Sequence, residues 1–519
     1  MDARNRWRGL ACLVFTFFAS AWVAPLAALP SAGSLPREIG ETAAQTEAPL
    51  AQLRRAASLL QSGEFAAADA LLRQVLADPA FIDLPDPAQL AAYVLAGGAA
   101  IELDDKDRAW AMFDRAIAGP AADADIASAV LDIALEQWRP EKAIAPMGLL
   151  AAQAPERLRE LDTLTVYRLY GELTRQELPA GEMRSFLQAL FDANWMLEDG
   201  RQPSALWHAL AEIRLREGNE AAAITVAARI AAADDLLAMQ VDRRFDGVVA
   251  ALDPARFDLA AALAREEQTI MAAIAANPRN LQIVIELTYL LLDGGRYQDV
   301  IDTCDAALAR VAAGGDEPAF DDVDQALPWI HDNRARGLLG LGRIDEAVAV
   351  LEAARRMEED GGANVSQALN LASLYATLGR TEDAIASLEG IELASQYGWM
   401  EYHSTRLYAL LATPDDPRAR ESLAYLREHR QDSRSTHVEA LIRIGAIDEA
   451  SAAFREWIAD PEHRAAALST VQGYQVHAFS PLGEKWRTQA RDFAARPEIV
   501  AAIEAVGRVR SVPMYRLQF

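Results

Sequence analysis

The sequence predicts an all-α protein, an α-solenoid of stacked helix-turn-helix pairs, and three observations carry that prediction. The first is the stretch 367–393, QALNLASLYATLGRTEDAIASLEGIEL. Small or apolar residues recur there at Leu371, Ala372, Tyr375 and Leu378, then again at Ala384, Leu388 and Ile391 beyond a turn at Gly379-Arg380-Thr381. The spacing is helical on both sides of a glycine. The second is composition: 51% hydrophobic but only 7% aromatic, rich in alanine and punctuated by glycine, which suits close-packed helices. The third is recurrence. Two short amphipathic helices cannot bury their stripes alone, so similar pairs in series imply stacking. At 519 residues the chain is also longer than one compact core usually is.

In chain order, the N-terminus has a basic start, MDARNRWRG, followed by an apolar run over 10–29. That order matches the n-region and h-region of a secretory signal. Ala19-Ser20-Ala21 and Ser31-Ala32-Gly33 both fit the small-x-small cleavage pattern. The run is also long enough to span a bilayer. Residues 1–31 are therefore expected to be a signal peptide or signal anchor, and 32–49, which lack periodicity, a linker. The only cysteines are Cys12 and Cys304, which leaves a mature chain with one thiol and no internal disulfide. Cys304 sits among Val300, Ile301 and Leu308 and is expected to be a small core residue.

Helix pairs fill 50–465. The first turns at Gly63, with Leu59 before it and Ala68, Leu72 and Val75 after it. The second has Tyr93 and Gly97 facing Ala109, Phe113 and Ala116, and the third turns near Trp138-Arg139-Pro140 ahead of Ala143, Met147 and Leu150. These units resemble the tetratricopeptide repeat, whose pattern is a large residue, Leu-Gly-like and Tyr-like positions, a turn glycine, then Ala, an aromatic or Leu, Ala, and a closing Pro. Further matches are Trp207, Leu210, Ala211, Gly218 and Ala223; Leu287, Leu291, Gly295, Tyr297 and Ala307; Ala335, Leu338, Gly342, Ala347, Leu351 and Ala354; and Leu441, Gly445, Ala450 and Phe454, closed by Pro461. The physics behind the pattern is general: small residues let helices cross closely, and proline ends the second helix.

Turn anchors fall at 63, 104, 138, 218, 295, 342, 379 and 445. The three long gaps between them each hold a drifted pair, at about 160–195, 236–276 and 401–430. The acidic, glycine-containing segment 310–328 is expected to be a longer loop. From 468 the pattern changes: GYQVHAFSPLG is irregular, helices are expected over 484–495 and 497–507, and the alternating tail RVRSVPMYRLQF is expected to be extended. Residues 466–519 are taken as a cap on the last repeat.

The resemblance implies a right-handed superhelix whose concave face, lined by the first helix of each pair, binds a protein or peptide partner. Transferred position by position, its inward-facing residues are His208, Glu212 and Arg216; Ile285, Tyr289 and Leu292; Trp329, Asp332 and Arg336; and Leu369, Asn370 and Ser373. Of these Ile285, Leu292 and Leu369 fit the inter-repeat core equally well. In chaperone-binding members a Lys and Asn clamp holds a C-terminal carboxylate. The matching positions here hold Asp332 and Arg336, then Leu369 and Ser373, so that clamp is not expected.

Chemistry has no constellation to rest on. The seven histidines form no i, i+4 pair and no HExxH, and there is no phosphate loop or Gly-x-Ser-x-Gly elbow. Acidic pairs such as Asp104-Asp105 and Asp234-Asp235 cap helices. No cofactor, no metal and no catalysis are expected. The net charge of −26, from 50 basic and 76 acidic residues, argues against nucleic acid. The functional expectation is a non-catalytic scaffold exported to the envelope, in the periplasm. The alternative is a membrane-anchored structural or assembly component of a polymer-export or secretion machinery, facing the periplasm. An enzyme with its site in 156–275 or the cap is a third reading, without a motif behind it. Arginine outweighs lysine, with Lys106, Lys142 and Lys485 the only lysines, as in a Gram-negative source.

Overall fold

A computed structural model describes residues 40–517 apart from 177, 315–317, 360–361, 393, 414 and 478. The predicted leader lies outside these residues. The described residues form 27 α-helices with short 3-10 turns and two small sheets. None of the helices is long and apolar enough to cross a membrane. The chain divides after Glu198 into two units.

The first unit holds four helix pairs: Gly40–Gln61 with Phe65–Ala77, Asp86–Glu102 with Lys106–Ala118, Ala124–Glu136 with Pro140–Gln153, and Thr163–Arg175 with Ala180–Asp192. The opening helix begins at Gly40, so it takes in the second half of the segment expected as a linker. Small residues set the spacing. A Cβ at Gly97 would fall 2.5 Å from the Phe113 ring, so only glycine lets these two helices approach so closely. In the fourth pair Trp195 is fully buried and donates its indole N–H to the Leu161 carbonyl at 2.9 Å.

Seven pairs make up the repeat array of the second unit. Their first helices are Ser204–Arg216, Ala233–Val241, Leu281–Asp293, Val323–Gly340, Val365–Thr377, Gln396–Ala409 and Arg434–Arg443. Apart from the second pair, each is followed by its partner after a short turn and, up to Gln396–Ala409, packs on the first helix of the next pair, while Arg434–Arg443 packs on Pro481–Ala494. The predicted pair at 236–276 is more broken than expected. Its first helix stops at Val241, a 3-10 turn (Arg243–Phe245), a short helix (Asp246–Ala251) and a second 3-10 turn follow, and only then does Leu259–Ala276 close the pair. The loop expected at 310–328 is shorter, because Tyr297–Ala313 and Val323–Gly340 extend into it from both sides.

All eight anchor residues adopt positive φ: Gly63, Gly218, Gly295, Gly342, Gly379 and Gly445, and also Asp104 and Trp138. Asn194 is a ninth such turn, inside one of the long gaps. Each makes the same two backbone bonds. At Gly379, for example, its N–H donates to Ala376 and the next N–H, of Arg380, donates to Tyr375. This is the Schellman closure, which satisfies the last carbonyls of the first helix and reverses the chain.

The C-terminal segment departs from expectation. Residues Gly473–His477, read as irregular, form a strand, β3, that pairs in parallel with the tail strand β4, Ser511–Leu517. (A two-residue hairpin, β1 Glu358–Glu359 and β2 Gly362–Ala363, precedes them.) Helices Pro481–Ala494 and Pro497–Val506 make the crossover that a parallel pair requires. Alternation along β4 buries Val512 and Met514. The segment does not stop at the last repeat. Trp486 lies under the Arg443 guanidinium, Ser480 donates to the Thr377 carbonyl at 2.8 Å, and Tyr515 covers the Gly295 turn. It runs along the turn ends of three first helices, Arg434–Arg443, Val365–Thr377 and Leu281–Asp293.

Candidate partner-binding face

The residues expected to face inward in the second unit sort into two groups. The larger is built on Asp332, fully buried at mid-helix, where an unpaired carboxylate would carry a heavy desolvation cost. One oxygen accepts from Arg336 Nε at 2.6 Å, one turn further along the same helix. The other accepts from Asn370 Nδ2 at 3.0 Å on the next first helix. Neighbouring repeats are thus joined through a charged hydrogen bond, and the arginine is held in place beside Asp332. Just behind, buried Asn333 donates to the Thr288 hydroxyl at 2.8 Å, linking the preceding repeat.

Around Arg336 stand two tyrosines whose electrostatics it feels, Tyr289 from the repeat before and Tyr397 from two repeats on. They are 40% and 58% exposed. Although its ring is exposed, crowding around the hydroxyl pushes Tyr397 up to about 12, with the neighbouring Glu401 carboxylate adding to the shift. Glu401 itself is held above the usual carboxylate range by burial, despite accepting from Thr436 at 2.7 Å. The stripe is therefore a line of hydrogen-bonding groups with two aromatic faces, and its fully buried Asp332 is partnered internally by Arg336 and Asn370.

The smaller group is His208, Glu212 and Arg216. His208 is buried, stacks on Phe245 at 5.1 Å, and its Nε2 has no hydrogen-bond partner among the described residues. Desolvation holds its pKa below the ordinary histidine value. Glu212 is buried against Arg244, which also pairs with Asp242 at 2.6 Å; burial raises the Glu212 pKa more than the arginine lowers it. Arg216 pairs with Glu462 at 2.7 Å.

Of the sequence-predicted residues, the structure brings Tyr289, Asp332, Arg336 and Asn370 together, and His208, Glu212 and Arg216 into a second cluster. Trp329 is half-buried against the core of the 281–330 region, and Ser373 is half-buried. Ile285 and Leu292 are buried in that same core, whereas Leu369 is half-buried. Sequence reasoning missed Tyr397 and Glu401, one turn apart on a helix whose repeat positions have drifted. It also missed Arg244, which lies in a 3-10 turn with no periodicity to mark it. Among the described residues no group of three His, Cys, Asp or Glu is placed to hold a metal. Buried Cys304 has its thiol pushed up to about 12, as a core residue would.

No family model matches the chain, and no curated protein does. Solved structures with similarity include the Cut9–Hcn1 hetero-tetramer of APC/C, at 11% identity and TM-score 0.27 over 88% of this chain and 89% of that one. Yeast Tom70 follows at 12% identity and TM-score 0.30, over 88% and 99%. The TPR domain of P58(IPK) is similar at 14% identity and TM-score 0.20, over 79% and 98%. Superpositions this loose say nothing about partner or activity, and the helix-pair architecture rests on the turns and packing described above.

Proposed function

We propose that this protein is a non-catalytic scaffold, exported to the cell envelope, that holds a protein or peptide partner along the inner face of its second unit. The observation that supports this most is the Tyr289–Arg336–Tyr397 stripe. Aromatic and arginine side chains are the groups that dominate protein interfaces, and here two exposed tyrosines flank a half-buried arginine fixed by a hydrogen-bonded base. Export rests on the basic and then apolar order of the first 29 residues.

The test is capture with Tyr397→Ala and Tyr289→Ala chains. Both tyrosines are exposed enough to be removed without opening the core, whereas Arg336→Glu would also strand buried Asp332. A discrete partner recovered with wild type, and reduced at least about tenfold by Tyr397→Ala, is the expected result; tenfold is about 1.4 kcal/mol, within the range of an interface aromatic. Equal recovery with both variants would remove this face as the binding site. Osmotic-shock release of the mature chain is expected; retention with membranes would favour the anchored reading.

A further inference from the structure

The last helix pair of the second unit holds a cleft that shares no residue with the tyrosine stripe. It lies where the turn after Pro417–Glu428 meets the groove between Arg434–Arg443 and Ile447–Ala459. Its volume is about 260 Å³ with the mouth included. Pockets for drug-sized ligands run to roughly 300–1,000 Å³, so an occupant here is small. Val438, Ala453 and Trp457 supply an apolar wall, and Trp457 is held edge-on against Phe454 at 6.1 Å between centroids.

Most charges around the cleft are already committed. Arg434 donates to Asp460 at 2.8 Å and to Gln431 at 2.9 Å. Arg427 and Glu449 are joined by two hydrogen bonds, of 2.7 and 2.8 Å. That leaves Arg430 and Glu456, which line the cleft from different elements and have no ion-pair partner among the described residues. Both act on His437, which lines the cleft as well. Burial, the largest effect, holds the His437 pKa below the ordinary histidine value; Arg430 lowers it further and Glu456 opposes the shift. The imidazole is 5% exposed, and its Nε2 has no hydrogen-bond partner among the described residues. A buried ring nitrogen without a partner costs stability unless something completes it.

A water would satisfy the nitrogen but would use neither free charge. A simple anion would meet Glu456 as a like charge, and a simple cation would meet Arg430 in the same way. A dipolar ligand uses all three groups: a carboxylate accepts from Arg430 and from an Nε2–H, and an ammonium donates to Glu456. We propose that this cleft binds a small aliphatic α-amino acid in its zwitterionic form, its side chain lying against Val438, Ala453 and Trp457. A peptide terminus carries only one of the two charges and would not complete the site. The proposal stands apart from the scaffold reading, which rests on other residues.

The test uses the full-length chain with carbon-13-labelled histidine rings, the His437 signal being the one that His437→Gln removes. L-Alanine and L-valine are titrated first, then N-acetyl-L-alanine and L-alanine amide, which keep one charge apiece. A saturable shift of the His437 signal with a free amino acid is expected, with each one-charge analogue binding at least about tenfold more weakly. Arg430→Gln and Glu456→Gln, both at exposed positions, should each weaken amino-acid binding by a similar factor. No saturable shift with either amino acid would overturn the site. Equal binding of an analogue would overturn it too, as the mark of a simple anion or cation contact, and so would titrations that neither substitution alters.

Discussion

Gly340 faces the Tyr297 ring so closely that a Cβ there would lie 2.3 Å from ring carbon Cγ. The ring has little room to yield, because its other sides meet His477 at 5.6 Å and Tyr515 at 6.4 Å between centroids. Gly340→Ala is therefore expected to destabilise the second unit by about 1–3 kcal/mol, the usual scale of overpacking. An unchanged denaturant midpoint would show that the ring can move aside. His403 makes a different prediction. It is stacked on Tyr425 at 4.0 Å, with Ser422 and Arg406 at its Nδ1, and burial followed by the Arg406 charge pushes its pKa from 6.5 down to about 4. Between those values the unfolded chain binds the proton and the folded one does not, so stability falls as pH drops from about 6.5 toward 4. Comparison with His403→Gln cancels all other groups: wild type should lose ground to the variant over that window. Parallel pH curves would contradict the buried neutral imidazole.

Helix pairs are the scale at which the sequence was most legible, because a pair is specified by neighbours in the chain. Every predicted anchor took positive φ, including Asp104 and Trp138, where no glycine marks the turn. Trp138 holds that conformation with the Arg168 guanidinium 4.6 Å over its ring. What could not be read locally was strand β3. A parallel strand takes its identity from a partner far along the chain, here Gly473 opposite Ser511, and the alternation of Tyr474 and Val476 with Gln475 and His477 is too short to mark a strand alone. The inner face was legible in part for the same reason. Asp332, Arg336 and Asn370 sit on well-patterned helices, whereas Tyr397 and Arg244 lie where the pattern has drifted or the helix is interrupted. Two substitutions test the pair as a unit. Proline cannot take the +74° φ of Gly379, and Leu388→Asp would bury a charge at a site only 2% exposed. Either should lower the unfolding midpoint and uncouple the neighbouring repeats, with Leu388→Asp costing at least about 3 kcal/mol. Hydrogen exchange unchanged in Gln396–Ala409 next door would contradict nearest-neighbour coupling.

For the molecule as a whole, the second unit is a repeat array whose own C-terminal segment returns along its turn ends and fastens to its start. An array with a free end would only need a cap on its last apolar face. Beyond its last pair this one adds β3, β4 and three helices, and places Arg508 and Arg516 on the first pairs of the unit. The proposed partner site is the middle stripe, from Tyr289 to Glu401. The claim that a partner lies along it is tested most directly by a photoreactive residue at position 397 in intact cells, set against one at Met271, an exposed position on a second helix. A single discrete adduct from position 397, absent from position 271 and lost with Tyr289→Ala, is the predicted result. Identical adduct patterns from both positions, or none from 397 in chains that reach the envelope, would contradict a partner-binding inner face.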